Sequence, residues 1–227
     1  MRASAIIVAA GSGTRLGRGE PKAFVSVAGR AMLSYSLGTI SKVSPIFEAV
    51  IAVPAGMESA ARHEVSTAGL TIPVKITPGG AERQDSVRIA LALTSAESEL
   101  VIVHDAARPF ATAALFQACL EAAARSGGAI AAIPVADTLK RARGNTIEST
   151  VARAGLWQAQ TPQAFRRVAL VDAHARAMRE NLTATDDADL AERAGVRVEI
   201  VEASALNLKI TTADDLRLAE SLAASWR

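Results

Sequence analysis

The sequence predicts an α/β protein, a mostly parallel sheet with helices on both faces. Three observations carry this. Short β-branched apolar runs alternate with Ala- and Leu-rich stretches at helical spacing, the rhythm of strand–helix–strand units. The strand runs, such as Ala5-Ile6-Ile7-Val8 and Leu100-Val101-Ile102-Val103, are apolar throughout, so both faces of the sheet must be covered. The 227 residues are 50% hydrophobic but only 4% aromatic, enough for a sizeable core built from Ala, Val, Leu and Ile.

Taken in order, Ala5 to Val8 is the first strand. It stops at Ala9-Ala10 and runs into Gly11-Ser12-Gly13-Thr14-Arg15-Leu16 and then Pro21-Lys22. Residues 24–27 read as a short extended piece, and 31–41 carry Met32, Leu33, Leu37 and Ile40 at helical spacing. Strands follow at 48–53, 73–76, 100–104 and 129–134, with helices at 57–68, 86–93 and 112–125, the last with Thr112 as N-cap. Helices are expected again at 165–179 and 186–194, then a strand at 197–201 and a closing helix from Ala213. The whole chain, 1–227, reads as one domain. In such sheets ligands bind at the carboxyl ends of the strands. Ala9–Lys22, Val53-Pro54, the Gly79-Gly80 loop and His104–Pro109 therefore share one rim.

Residues 135–156 break the rhythm. Two polar–apolar segments flank Arg143-Gly144-Asn145, the pattern of a hairpin with little apolar surface of its own. Pattern alone leaves open whether it is an arm packing on a partner subunit or an extra edge hairpin.

The 25 Lys and Arg stand against 23 Asp and Glu, with no basic run and no interleaved aromatics, so nucleic acid and membrane are not the expected partners. One cysteine, Cys119, allows no internal disulfide. With no leader pattern and no apolar run of transmembrane length, the expectation is a soluble cytoplasmic protein.

Small residues in the first loop let backbone N–H groups approach an anion, and Arg15 and Lys22 add two fixed positive charges. Walker A is absent, since no stretch supplies Gly-x-x-x-x-Gly-Lys-Ser/Thr. A dinucleotide loop needs a glycine where Leu16 stands and an acid where the second strand ends in Val53-Pro54. The remaining reading is the Ala-Ala-Gly-x-Gly-x-Arg loop, with Pro-Lys beyond it, of enzymes that join an NTP to a phosphorylated substrate. Attack on an α-phosphorus builds negative charge, and fixed cations aimed at that charge are the main catalytic lever. Asp105, in His104-Asp105-Ala106-Ala107-Arg108-Pro109, faces the same rim and suits Mg²⁺, which prefers oxygen ligands and phosphates. The structural alternative is that Asp105 caps a turn or pairs with Arg108.

Seven motifs in order, AAGSGTRLG with PK, GGAERQDSV, VHDAARPF, PVADTLK, VARAGLWQAQTPQ, TDDAD and NLKIT, make the whole chain resemble the 2-C-methyl-D-erythritol 4-phosphate cytidylyltransferase family. The resemblance implies a Rossmann-like nucleotidyltransferase fold, a β-arm for homodimerisation, CTP as co-substrate and Mg²⁺. It implies that Arg15, Lys22 and Lys209 bind the triphosphate and stabilise the pentacovalent phosphorus. Ala9, Ala10, Gly11, Gly80, Arg83 and Ser86 would bound the nucleoside, and Asp105 the metal. Arg108, Thr138, Arg153, Thr161 and Thr185 would hold methylerythritol phosphate, with Arg153 reaching over from the other subunit. Ala81, Ala152 and Asp189 depart from the residues usual at those places. Two rivals are a ribitol-5-phosphate cytidylyltransferase and a non-catalytic nucleotide-binding module.

Outside the resemblance, His104 is expected to pack at a strand end, Cys119 to lie in the core, and His63 and His174 to lie on helix surfaces. Thr185-Asp186-Asp187 also reads as an N-cap and acid-rich first turn.

Overall fold

The computed structural model describes residues 1–17 and 19–225, without the side chains of Arg15 and Ser225. The chain starts with β1 (Ala3–Val8) and a small hairpin, β2 (Ser26–Val27) and β3 (Arg30–Ala31). Next come α1 (Met32–Ile40), β4 (Ile46–Val53), α2 (Glu58–Thr67), β5 (Val74–Pro78), α3 (Arg83–Ala92), β6 (Leu100–Asp105), α4 (Ala113–Ser126) and β7 (Gly127–Pro134). After the excursion of β8 (Leu139–Arg143) and β9 (Thr146–Val151), the chain returns through β10 (Trp157–Arg166), α5 (Arg167–Glu180), α6 (Asp187–Arg193), β11 (Arg197–Glu202) and α7 (Ala213–Ser225).

Seven strands form one sheet in the order β11-β7-β10-β6-β1-β4-β5. All run one way except β10, which is antiparallel to both neighbours. The expected layers are present, and a period of two sorts each apolar strand between them. Ile7, Ile51 and Ile102 face the cluster completed by Leu33, Leu37, Phe116 and Leu120 of α1 and α4. Their neighbours Ile6, Val50 and Val101 face Val87, Leu91 and Leu170 of α3 and α5. In α4, Phe116, Cys119, Leu120 and Ala123 fall at i, i+3, i+4 and i+7 and are all buried, so Cys119 is core as expected. The Thr112 hydroxyl accepts from the Leu115 N–H at 3.2 Å, the expected N-cap.

One expectation is corrected. Residues 157–166 form a ten-residue strand near the middle of the sheet, and the helix expected from Phe165 begins at Arg167. Gln160, Thr161 and Gln163 interrupt the apolar pattern, yet all three are buried. Their polar groups are satisfied by Asn207, Asp105 and Asp186, far away in sequence. A polar residue with partners from elsewhere in the fold carries no local sign of burial.

Among the described residues, strands β8 and β9 pair only with each other, and nearly all their residues are exposed. The hairpin is therefore not an edge of the main sheet.

Candidate active site

The carboxyl ends of β1 and β6 open into a cleft of about 420 Å³. Ala9, leaving β1, donates its N–H to Ala52 O at 2.8 Å, and the loop then turns back under Lys22, whose N–H reaches Gly11 O at 3.3 Å. Gly13 has φ +70, and a Cβ there would lie 2.9 Å from the Lys22 Cβ. The close crossing that presents Lys22 to the cleft thus requires glycine. Opposite, a Cβ on Gly79 would come 2.4 Å from the Ala10 Cβ, so the two loops touch. Gly80 donates its N–H to Ser86 Oγ at 3.1 Å, which fixes the loop on the first turns of α3.

A line of alternating charges runs from the cleft into the protein. Lys209 Nζ lies 2.6 Å from Asp105 Oδ2, and Arg83 Nε lies 2.9 Å from Asp105 Oδ1. Arg83 Nη1 continues to Asp187 Oδ2 at 2.8 Å, and His174 Nε2 stands 3.5 Å from Asp187 Oδ1. Burial alone would raise the Asp105 pKa, but the charges of Arg83 and then Lys209 reverse this and hold it well below the usual carboxylate range. Asp187 follows the same logic, with burial opposed by Arg83 and then His174. Burial works against the Arg83 charge, and Asp187 and Asp105 more than restore it. The Asp105 carbonyl accepts the Arg108 N–H at 3.0 Å and so closes a turn, but its carboxylate pairs with Arg83 and Lys209, not Arg108.

Apolar residues beside the functional ones fasten the three site segments together. Leu16, Phe110 and Ile210 share a small buried cluster with Met32, Tyr35 and Leu216. Each such side chain contributes roughly 1.5–3 kcal/mol by burial. Ile210 also donates its N–H to Ala107 O at 2.9 Å. Just after it, Thr212 and Asp215 exchange side chain-to-backbone hydrogen bonds of 3.2 and 2.8 Å. This reciprocal cap at the start of α7 sets the segment that carries Lys209.

The family model for IspD, 2-C-methyl-D-erythritol 4-phosphate cytidylyltransferase, matches residues 3–225. The chain belongs to this family. It is 48% identical over 221 residues to the 2-C-methyl-D-erythritol 4-phosphate cytidylyltransferase of Deinococcus radiodurans, covering 97% of this chain and 89% of that one. The crystal structure of the Thermus thermophilus enzyme of the same name is similar at a TM-score of 0.82 and 38% identity, covering 96% and 98% of the two chains. The 4-diphosphocytidyl-2C-methyl-D-erythritol synthase of Anaerococcus prevotii matches at a TM-score of 0.86 and 29% identity, covering 98% of each.

The IspD match spans all seven motifs, but the fold does not gather all their residues. Ala9, Ala10, Gly11, Lys22, Gly80, Arg83, Ser86, Asp105 and Lys209 line the cleft. The Arg15 side chain lies outside the described residues; its backbone is in the short 3-10 turn Thr14–Leu16. Arg108 is half-buried, does not line the cleft, and donates from Nη1 to Asn207 O at 2.8 Å. Thr161 is buried, and its hydroxyl accepts the Asp105 N–H at 3.0 Å, so it braces the metal-site candidate from behind. Thr138, Arg153 and Thr185 are exposed and do not line the cleft. The N-cap of α6 is Asp186, which accepts the Asp189 N–H, while Asp187 turns inward. Asp189 pairs with Arg193 and accepts the Thr185 N–H, so this departure from the family pattern acts beside the loop and not in the cleft.

His174 corrects the expectation of a surface residue: it is 2% exposed. The signal was present, since Leu170, Ala173, His174 and Ala177 form one stripe of α5. Asp187 left no such signal, because its partner Arg83 is 104 residues away.

His104 behaves as expected. It is buried, packs on Phe116 with ring centroids 4.9 Å apart, and shares its Nδ1 with the Thr161 hydroxyl at 3.1 Å. Burial is the main cause that lowers its pKa to about 4. The unfolded chain gains a proton near pH 6.5 and the native state only near 4, so stability is full above 6.5 and falls as pH drops through that window. The expected loss is on the order of 3 kcal/mol. Denaturant titrations from pH 7 to 4 should show it, and His104→Gln should flatten the slope; an equal slope in the variant rules His104 out as its source.

Proposed function

We propose that the chain transfers the cytidylyl group of CTP to 2-C-methyl-D-erythritol 4-phosphate, giving 4-diphosphocytidyl-2-C-methyl-D-erythritol and pyrophosphate in isoprenoid biosynthesis. The observation that carries this reading is the convergence of Lys22, Lys209 and Asp105 on one cleft under a glycine loop, in a chain of the IspD family. The sugar phosphate is already an ionised nucleophile, so direct in-line attack needs positioning and charge neutralisation rather than a base or a covalent intermediate. Lys22 and Lys209, with Arg15, neutralise the charge that builds on the transferring and departing phosphates. Arg83, which lines the cleft, keeps its buried Nη2 without a hydrogen-bond partner among the described residues, a donor beside the nucleoside site.

Asp105 is the residue that would hold Mg²⁺. Each of its carboxylate oxygens accepts one charged hydrogen bond and keeps a second lone pair. Among the described residues no group of three His, Cys, Asp or Glu could hold a metal ion by itself, so the remaining ligands would be phosphate oxygens and water, as Mg²⁺ prefers. When bound, the ion offsets triphosphate charge.

The reading includes a homodimer through 135–156. An isolated hairpin is marginal in water, and this one leaves Ile147 62% exposed, with Leu156 and Trp157 also open to solvent beside it. The partner's arm would then bring its copy of Arg153 toward the cleft, and methylerythritol phosphate would meet Arg108, Thr138 and Thr185, with buried Thr161 acting through Asp105. Light scattering should give twice the chain mass at micromolar concentration; a clean monomer removes the arm from the site. A cytoplasmic location fits the lone buried thiol of Cys119, whose pKa burial pushes up to about 12. No helix among the described residues is long and apolar enough to cross a membrane.

The deciding experiment measures pyrophosphate release from each of the four NTPs with methylerythritol 4-phosphate or ribitol 5-phosphate. Release confined to CTP with methylerythritol 4-phosphate supports the proposal. Preference for ribitol 5-phosphate, or CTP binding without release, replaces it with one of the two rivals.

A further inference from the structure

The loop between α5 and α6 carries Thr185 and has no strand or helix of its own to hold it. Side chains from two other elements do so. Gln84, the second residue of α3, uses both ends of its amide: Nε2 donates to Leu182 O at 3.1 Å, and Oε1 accepts the Ala184 N–H at 2.9 Å. Gln163 of β10 repeats this further along, donating to Asp186 Oδ2 at 2.8 Å and accepting the Ala188 N–H at 3.2 Å. An amide satisfied at both ends works in one orientation only, since a flip sets donor against donor. Gln84 follows Arg83, whose guanidinium lines the nucleotide cleft and also grips Asp187 at the end of the same loop. The first turn of α3 thus bounds the nucleotide cleft and, through adjacent side chains, holds the loop of residues 182–186.

We infer that Gln84 is a positioning residue for the phosphorylated co-substrate: it sets the Thr185 loop relative to the nucleotide cleft while touching neither substrate. This rests on the reading above that Thr185 meets methylerythritol phosphate. The physical basis is that a loop free to wander must be ordered on binding, and the side-chain amide supplies that order in advance. The nucleotide loop has a separate tie, the Gly80 N–H on Ser86 Oγ at 3.1 Å, in which Gln84 takes no part.

The test uses the intact protein with CTP and methylerythritol 4-phosphate. Gln84→Leu keeps the side-chain size and removes both hydrogen bonds. It should raise the KM for methylerythritol 4-phosphate about tenfold, leave that for CTP within twofold, and speed amide exchange across 182–188 by a similar factor. Gln84→Glu, which keeps the acceptor and loses the donor, should fall between the two, and stands in for Gln84→Leu should that variant fail to fold. Equal changes in both KM values, or none in either, overturn the inference. Thr185→Ala serves as the control: if it leaves the sugar-phosphate KM unchanged, the reading of Thr185 fails, whatever Gln84 does. An effect of Thr185→Ala without one of either Gln84 variant sinks the inference alone.

Discussion

Lys209→Ala is expected to lower turnover a hundredfold or more with little change in thermal stability. Its ammonium is one of two cations on Asp105, and the other, Arg83, remains in the variant, so the buried carboxylate keeps a counter-charge. The Lys209 side chain is 41% exposed, so the fold gains little from it. What the variant loses is a positive charge aimed into the cleft where pyrophosphate would depart. Removing one such group from a preorganised site costs on the order of 3 kcal/mol of transition-state stabilisation, which is the hundredfold. Lys22→Ala should lose a similar factor, since the glycine crossing at Gly13 exists to present that residue. Near-parental turnover in either variant would sink the charge-stabilisation assignment; steady-state kcat beside a melting curve is the measurement.

Arg83→Met is expected to destabilise the protein more than any other single change at the site. It leaves Asp187, 1% exposed in its side chain, with only His174 beside it, and Asp105 with Lys209 only. Breaking a buried pair by removing one member costs about 3–5 kcal/mol. The effect has a pH signature. In the parent protein both carboxyl pKa values lie below their unfolded values, so near pH 4 the unfolded chain binds more protons and stability rises with pH. With the guanidinium gone, the largest cause holding the Asp187 pKa down is lost, and burial is opposed by His174 alone. The native variant then binds more protons near pH 4 than the native parent does, so its stability gains less as pH rises. The gap between the two proteins should therefore widen from pH 4 to pH 7 in urea titrations. A constant gap, or one under about 1 kcal/mol at pH 7, would mean that the charge line is not a structural element.

Much of the fold and part of the site were legible in the sequence, and the boundary between the two follows one physical distinction. Features with a local cause could be read directly. A continuous apolar run implies a doubly covered strand, Thr112 caps its own helix, and glycines beside Lys22 mark a backbone that approaches something closely. The order of the motifs then named the family, and Ala9, Ala10, Gly11, Lys22, Gly80, Arg83, Ser86, Asp105 and Lys209 line one cleft. Strand β10 escaped because its buried Gln160, Thr161 and Gln163 find hydrogen-bond partners only once the sheet is assembled. Asp187 read as one acid of a helix first turn, because nothing near it in sequence shows that Arg83 lies alongside. Gln84 fell just outside the helix expected at 86–93, and nothing near it in sequence pointed to its partners Leu182 and Ala184. The sequence by itself determined which segments form the layers and which chemistry lines the rim. Only the tertiary structure decided which charges are paired, which polar side chains are buried, and what holds the Thr185 loop, because a polar group can be buried only where the fold supplies its partner.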